Sequence, residues 1–399
     1  MEQFTVGKNE DGKRIDAIIM KLLPGAGKGF IYKMLRKKNI VINDKKADGN
    51  DRVSAGDVIK MYLSDETITG FGGVVSGKDK ALQGDHANDR TKDQMEDRTK
   101  DQTKDHVQDH AKDRGMTDAG NSVKDQPVLP PDSSKNEQKK TVQSIFKDSK
   151  SINSGRSDEF RNWIIYEDED IILVNKPAGL LSQKADADDI SVNELIIEYL
   201  LCEGKIDQQE LRTFRPSVCN RLDRNTSGII CAGVSLKGSR ELTKLIRDRK
   251  ADKYYMCIVC GELPEEKCWI QLRSYLSKDE KNNKARVSNQ EFLGSVPVEI
   301  EYRPVISKDG YTLLEVKLIT GKSHQIRAQL ASVGHPLAGD TKYGDKTLNE
   351  RLRRKYGVKR QLLTACRFSF PHDTELENVR GRVFTAGLPD DFFIRPDIS

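Results

Sequence analysis

The sequence predicts an α+β protein made of two folded units joined by a long polar segment. Three observations carry this expectation. Short apolar runs of strand length alternate with helix-period patterns in residues 1–65 and again in residues 157–399. Residues 66–156 between them are poor in apolar side chains and carry a repeated charged octet. The chain has 399 residues, of which 36% are hydrophobic and 32% charged, too few apolar groups for one continuous large core.

In the first unit, Ile15, Ile18, Ile19, Leu22 and Leu23 recur at helical spacing and predict a helix with one buried face. Pro24, Gly25, Gly27 and Gly29 break that pattern. A second helix is expected from about Phe30 to Lys38. It would bury Phe30, Ile31, Met34 and Leu35 and expose Lys33, Arg36, Lys37 and Lys38. Ile40-Val41-Ile42 reads as a strand and Asn43-Asp44 as a turn. Gly56-Asp57 turns the chain into a strand from Val58 to Leu63.

The segment 66–156 repeats DRTKDQME from Asp89, DRTKDQTK from Asp97 and DHVQDHAK from Asp105. Such a composition buries too little apolar area to offset its ordering entropy, so a solvated linker is expected. Its histidines, His86, His106 and His110, are read as part of that linker rather than as metal ligands.

In the second unit, strands are predicted at Ile171 to Val174, Ile229 to Ala232, Tyr254 to Val259 and Leu313 to Leu318. Ser191-Val192-Asn193-Glu194 has the form of a capping box. It opens a helix with Val192, Leu195, Ile196, Tyr199 and Leu200 on one face. Further helices are expected over about Ser239 to Arg247 and Ser323 to Val333. The latter carries an apolar stripe of Ile326, Leu330 and Val333 and stops at Gly334.

Several function classes fall away. No apolar run approaches the ~20 residues of a membrane helix, and the first residues hold no continuous apolar segment like that of a secretory signal. The seven cysteines are scattered between Cys202 and Cys366, which fits a reducing cytoplasm better than a disulfide scaffold. Gly321-Lys322-Ser323 is not a phosphate loop, because Val316 stands where the first glycine would be. Gly25, Gly27 and Gly29 miss the dinucleotide fingerprint. Cys257 and Cys260 have metal spacing without a second pair. The net charge of +5 does not decide between partners. Its distribution is more telling: Lys33, Arg36 and Lys37 share one helix face, Arg14 opens the first helix, and Lys45 and Lys46 lie in the hairpin turn. This is the footprint of phosphate-backbone binding, and equally that of an ordinary solvated helix. The late basic run Arg351, Arg353, Arg354, Lys355, Lys359 and Arg360 carries the same two readings.

Residues 14–63, with the turn at Val41 and Asn43 and the ending Gly56-Asp57-Val58-Ile59, resemble the S4-like RNA-binding domain. Lys28-Gly29 stands where many members carry Ser-Arg. Asn220 to Gly228 (NRLDRNTSG) resembles the catalytic motif of the RluA-type pseudouridine synthases, and Lys253 to Gly261 resembles that family's tyrosine motif. Leu318 to Arg327, followed by Gly339-Asp340 and Tyr343-Gly344, resembles its arginine motif. Ile172 to Gly179 resembles its opening strand and loop. The motifs occur in family order over about 160–370.

The resemblance implies a catalytic domain with a mixed, mainly antiparallel sheet beside a small S4-like α/β domain. It implies isomerisation of uridine to pseudouridine in RNA by one carboxylate, with no cofactor and no metal. Asp223 is then the catalytic residue, Tyr255 a stacking platform and Arg327 the partner of Asp223. Arg221 supports the site, and Lys322 stands where the family usually has arginine. Asn220 replaces the histidine of many relatives. Arg14, Lys33, Arg36, Lys37, Lys45 and Arg224 become the candidate RNA contacts. By the same analogy the substrate is ribosomal RNA of the large subunit; the cysteine usage points to the cytoplasm, and a monomer is the default expectation. The alternatives are the same chemistry on transfer RNA and a non-catalytic RNA-binding ribosome-assembly factor.

Overall fold

The computed structural model describes residues 1–75, 154–186, 188–264, 268–279 and 284–396. The octet repeat and the histidines within it lie outside these residues.

The first unit runs β1 (Glu2–Thr5), α1 (Ile15–Leu22), α2 (Lys28–Arg36), β2 (Ile40–Ile42), β3 (Lys45–Lys46), β4 (Val58–Met61) and α3 (Asp65–Gly70). Its antiparallel sheet has the order β1-β4-β2-β3. The apolar face expected for α1 is buried at every position, Leu23 included. Helix α2 begins two residues earlier than the breakers suggested, with Gly29 in its first turn, where an N–H has no intrahelical acceptor to lose. It buries Ile31, Met34 and Leu35, while Phe30 is only half-buried and packs on Phe71, ring centroids 4.6 Å apart. Lys45 and Lys46 are on the return strand β3, not in the turn. Asn43 and Asp44, at φ 47° and 62°, make the turn alone.

The unit also extends past the expected boundary at residue 65. Ser64 accepts a hydrogen bond from Thr67 N–H and caps α3, and Ile68 and Val75 are buried in the same core. Two buried apolar residues were enough to order a stretch whose average composition is polar.

The second unit runs α4 (Ser154–Arg161), β5 (Ile164–Glu167), β6 (Ile171–Lys176), α5 (Val192–Cys202), β7 (Ser217–Val218), β8 (Ser227–Gly233), α6 (Leu236–Arg247) and β9 (Asp252–Cys260). It continues with β10 (Ile270–Asp279), β11 (Lys284–Ser288), β12 (Val296–Lys308), β13 (Tyr311–Leu318), α7 (Gln325–Ser332), α8 (Lys346–Tyr356), β14 (Leu363–Ser369) and β15 (Val383–Thr385). The strands form one mixed sheet in the order β11-β10-β12-β13-β9-β14-β8-β6-β5, with β15 beside β14 and β7 beside β8. The pairing of β14 with β8 is parallel and the rest are antiparallel. That parallel join is close: a Cβ on Gly228, at φ +108°, would lie 2.2 Å from the Ala365 carbonyl oxygen.

Strand periodicity sends alternate residues to opposite faces of the sheet. Ile172, Val174 and Ile230 face α5 on one side of the sheet, in the same cluster as Tyr255, Leu314 and Ile326. Ile171, Leu173, Ile229 and Cys231 face α6 on the other. The same alternation puts Cys257 and Cys260 on opposite faces of β9, so they are not a metal pair. Ser191 does not cap the backbone of α5; its hydroxyl bonds the Glu194 carboxylate instead. Val333 is exposed because α7 ends at Ser332. The two units touch where Lys21 Nζ donates to Thr213 O at 2.6 Å and Leu236 N–H donates to Asn9 Oδ1 at 2.8 Å. Among the described residues no helix is long and apolar enough to cross a membrane, and no three acidic, histidine or cysteine side chains converge as metal ligands.

Candidate active site around Asp223

Asp223 lies in the loop that leads from β7 into β8, and remote segments clamp that loop residue by residue. Ser182 Oγ accepts from Leu222 N–H at 3.0 Å and donates to Leu222 O at 2.9 Å. Lys176 Nζ donates to Arg224 O at 3.0 Å, to Pro177 O at 2.9 Å and to Leu180 O at 2.8 Å. Gly179 N–H also donates to Arg224 O, at 2.8 Å. Arg360 Nη1 donates to Asn225 O at 3.1 Å. Asn220 spans the start of β8, donating to Ile229 O at 3.1 Å and accepting from Cys231 N–H at 2.7 Å. The loop backbone is therefore held at Leu222, Arg224 and Asn225.

That side chain is 26% exposed and reaches helix α7. Its Oδ2 accepts from Arg327 Nη1 at 2.8 Å. Oδ1 has no partner among the described residues. Arg327 is buried, and its other two nitrogens are committed to Asp340: Nε donates to Oδ2 at 2.7 Å and Nη2 to Oδ1 at 2.9 Å. Asp340 also accepts from the N–H groups of Lys342 and Tyr343. Burial disfavours the Asp340 charge, but Arg327 and these N–H groups outweigh it and hold the carboxyl below its usual range. Burial likewise opposes the Arg327 charge, and Asp340 outweighs it.

Tyr255 projects from the middle of β9 into the same core and is buried. Burial first, and then the charge of Asp223, push its hydroxyl far above the usual tyrosine range. It stays a phenol at neutral pH and so offers a ring and a proton donor rather than a base. Helix α7 is fixed by buried amides. Gln325 Nε2 donates to Glu299 O at 3.1 Å and to Gln329 Oε1 at 2.9 Å, and Gln329 donates to Leu272 O at 3.1 Å. The expected apolar stripe of α7 holds at Ile326 and Leu330, but the polar residues between them are buried too.

The structure thus brings Asp223, Arg327 and Tyr255 together. Arg221 and Arg224 flank Asp223, exposed and without a charged partner among the described residues. Lys322 is exposed in the turn before α7, and its side chain makes no contact with Asp223. In the first unit, Lys33, Arg36, Lys37 and Lys45 are exposed. Arg14 is engaged: its guanidinium pairs with Asp16 at 2.6 Å and bonds Tyr32. The late basic run divides. Arg360 is nearly buried, paired with Asp391 and bonded to the Asp223 loop at Asn225 O, whereas Arg351, Arg353 and Arg354 are exposed on α8.

Four residues of this cluster were not assigned to the site from the sequence. Lys176 and Asp340 lie inside the matched motifs, where a lysine and an aspartate among glycines gave a usable signal. Ser182 gave none, and Arg360 was visible only as part of the late basic run, because only the folded chain brings them to the loop.

Residues 170–332 match the family model described as RNA pseudouridylate synthase. That stretch, about two fifths of the chain, is similar to RNA pseudouridylate synthases. Asp223, Tyr255 and Arg327 all lie within the matched residues. A ribosomal large subunit pseudouridine synthase D from Borreliella burgdorferi is 33% identical to the chain over 183 residues, 45% of this chain and 54% of the relative. The chain thus spans only about half of that relative. A ribosomal large subunit pseudouridine synthase C from Pasteurella multocida is 23% identical over 385 residues, 95% of this chain and 89% of the relative. A tRNA pseudouridine synthase C from Haemophilus ducreyi is 29% identical over 222 residues, 54% of this chain and 88% of the relative.

Proposed function

We propose that the protein is an RNA pseudouridine synthase that isomerises uridines in large-subunit ribosomal RNA, with Asp223 as its reacting carboxylate. The observation that carries this is the asymmetry of Asp223. One oxygen is tied to an arginine that is itself anchored, while the other is free in a partly open pocket. The reaction breaks the C1′–N1 bond, turns the uracil and joins C1′ to C5; N1 gains a proton and C5 loses one. Atoms and electrons balance within the nucleotide, so the chemistry asks for a positioned carboxylate and a pocket that retains the base. Oδ1 of Asp223 is the atom presented to the nucleotide. Arg327 compensates its charge and fixes its direction. The Tyr255 ring is the surface on which an extruded uracil would stack, since such a base must leave its own stack to be reached. Arg221 and Arg224, exposed on either side of Asp223 in the sequence, would contact the phosphates flanking the extruded uridine.

Residues 1–75 are proposed as an S4-like RNA-binding domain. Lys33, Arg36, Lys37 and Lys45 would be its phosphate contacts, without Arg14, which Asp16 occupies. Ribosomal RNA is favoured over transfer RNA because the relative matching 95% of the chain is named a ribosomal synthase, whereas the tRNA-named relative matches only 54%.

The test is single-nucleotide mapping of pseudouridine in total RNA from cells lacking the protein, complemented with wild type or with Asp223→Asn. Ribosomal uridines that lose modification and regain it only with wild type support the proposal. Changes confined to transfer RNA overturn the substrate. No change at any site overturns the enzyme reading and favours a non-catalytic RNA-binding factor.

A further inference from the structure

His324 makes two contacts that the account above leaves unused. It precedes α7 in the left-handed region, φ 56° and ψ 16°, a backbone state that non-glycine residues adopt at a cost of about 1 kcal/mol or more. Its side chain does not cap the helix it precedes. Its Nδ1 lies 3.0 Å from the Tyr343 hydroxyl, and its Nε2 lies 3.8 Å from Asp223 Oδ2.

The hydrogen bonds favour one nitrogen as the proton carrier in the neutral ring. The Ala285 N–H donates to the Tyr343 oxygen at 2.6 Å. That oxygen already receives one donor, and the acceptor available to its own hydrogen is His324 Nδ1. Nδ1 therefore accepts, and the ring proton sits on Nε2, facing Asp223. The tyrosine is held edge-on to the imidazole, at 81°, and the Arg327 guanidinium lies 5.3 Å from its ring centre.

We propose that His324 is a positioning residue for Asp223, locked by Tyr343 and the Ala285 N–H in the tautomer that presents Nε2–H to Oδ2. This rests on the synthase reading of the site. Oδ2 is then addressed by Arg327 and His324, which leaves Oδ1 as the reactive oxygen. At 3.8 Å the His324 contact is too long for a hydrogen bond without substrate, and such contacts tighten as a pocket closes. Whichever path the carboxylate follows, charge on Oδ2 changes as Oδ1 reacts, so a second donor there acts on the rate more than on binding. The charged groups around the ring are Asp223 from the catalytic loop, Arg327 from α7, and Asp340 and Lys342 from the following loop. Burial lowers the affinity of the imidazole for a second proton, and the attraction of Asp223 does not overcome this. The neutral tautomer is thus the working form.

The experiment combines imidazole 15N NMR of the full-length protein with steady-state kinetics. The His324 signal is assigned among the six histidines by its loss in His324→Gln. The expected wild-type spectrum shows the Nε2–H tautomer at pH 7.5, and in Tyr343→Phe that preference disappears. Kinetically, Tyr343→Phe should lose about tenfold in kcat with KM little changed. His324→Gln, which keeps an N–H near the Nε2 position, should retain several-fold more kcat than His324→Leu. A wild-type Nδ1–H tautomer overturns the proposal, as do equal rates for the Gln and Leu variants. A wild-type protein that forms no pseudouridine would overturn the synthase reading instead, and the tautomer measurement would still stand on its own.

Discussion

Asp340 grips Arg327 with two parallel hydrogen bonds, 2.7 Å from Nε and 2.9 Å from Nη2. Only the third nitrogen, Nη1, is left to reach Asp223 at 2.8 Å. The order of dependence is therefore fixed: Asp340 orients the guanidinium and the guanidinium orients the Asp223 carboxylate. Asp340→Asn keeps the shape but leaves a buried cation with half its compensation. It should cost about 3–5 kcal/mol in urea unfolding and about a hundredfold in kcat, as expected for a displaced catalytic group. Unchanged kcat in a folded variant would show that Arg327 does not need this anchor.

Lys176 gives a pH-dependent prediction. Its ammonium donates to three carbonyls, and burial, aided by the charge of Arg360, pushes it down to about 7. The unfolded lysine keeps its proton up to about pH 10.4. Between these values the unfolded state binds more protons, so wild-type stability should rise with pH, by up to about 1.4 kcal/mol per unit. Lys176→Met removes this contribution. Urea midpoints from pH 6 to 9 should show wild type gaining on the variant as pH rises, and parallel curves would refute the assignment.

Gly228 is a steric prediction. An alanine there would need the +108° φ and would press its Cβ to 2.2 Å from the Ala365 oxygen. The parallel join of β8 and β14 must open to accept it. Gly228→Ala should destabilise by about 2–4 kcal/mol and, because β8 begins four residues after Asp223, should also lower kcat. A thermal midpoint equal to wild type would contradict the close approach.

The exposed face of α2 gives a binding prediction. Replacing Lys33 and Lys37 by glutamine should weaken RNA binding across sequences. It should also reduce the slope of log affinity against log salt by roughly 0.7–0.9 per lost phosphate contact. At saturating RNA, kcat should hold. Equal slopes for wild type and variant, from titrations at four salt concentrations, would remove α2 from the interface.

Much of this was legible in the sequence because it is written in local periodicity. The α1 face, the strands around Ile172, Ile230, Cys257 and Leu314, and the turn at Asn43-Asp44 follow from spacing and turn chemistry alone. Errors came where a few contacts outweigh composition. Ile68 and Val75 order a polar stretch, and Lys45 and Lys46 pair as a strand only because β2 is beside them.

The sequence by itself determined the kinds of element, the order of the motifs and the identity of Asp223, Tyr255 and Arg327 as the residues to watch. Tertiary structure alone decided how they are used. Asp223 and Arg327 are 104 positions apart, and nothing local tells which oxygen the arginine takes or that Asp340 holds it. Nor does pattern distinguish the free arginines Arg221 and Arg224 from Arg14 and Arg360, whose charges are already spent. Hydrogen-bond geometry and burial are properties of distance in space, and those exist only once the sheet has brought β6, β8, β9 and α7 around one pocket.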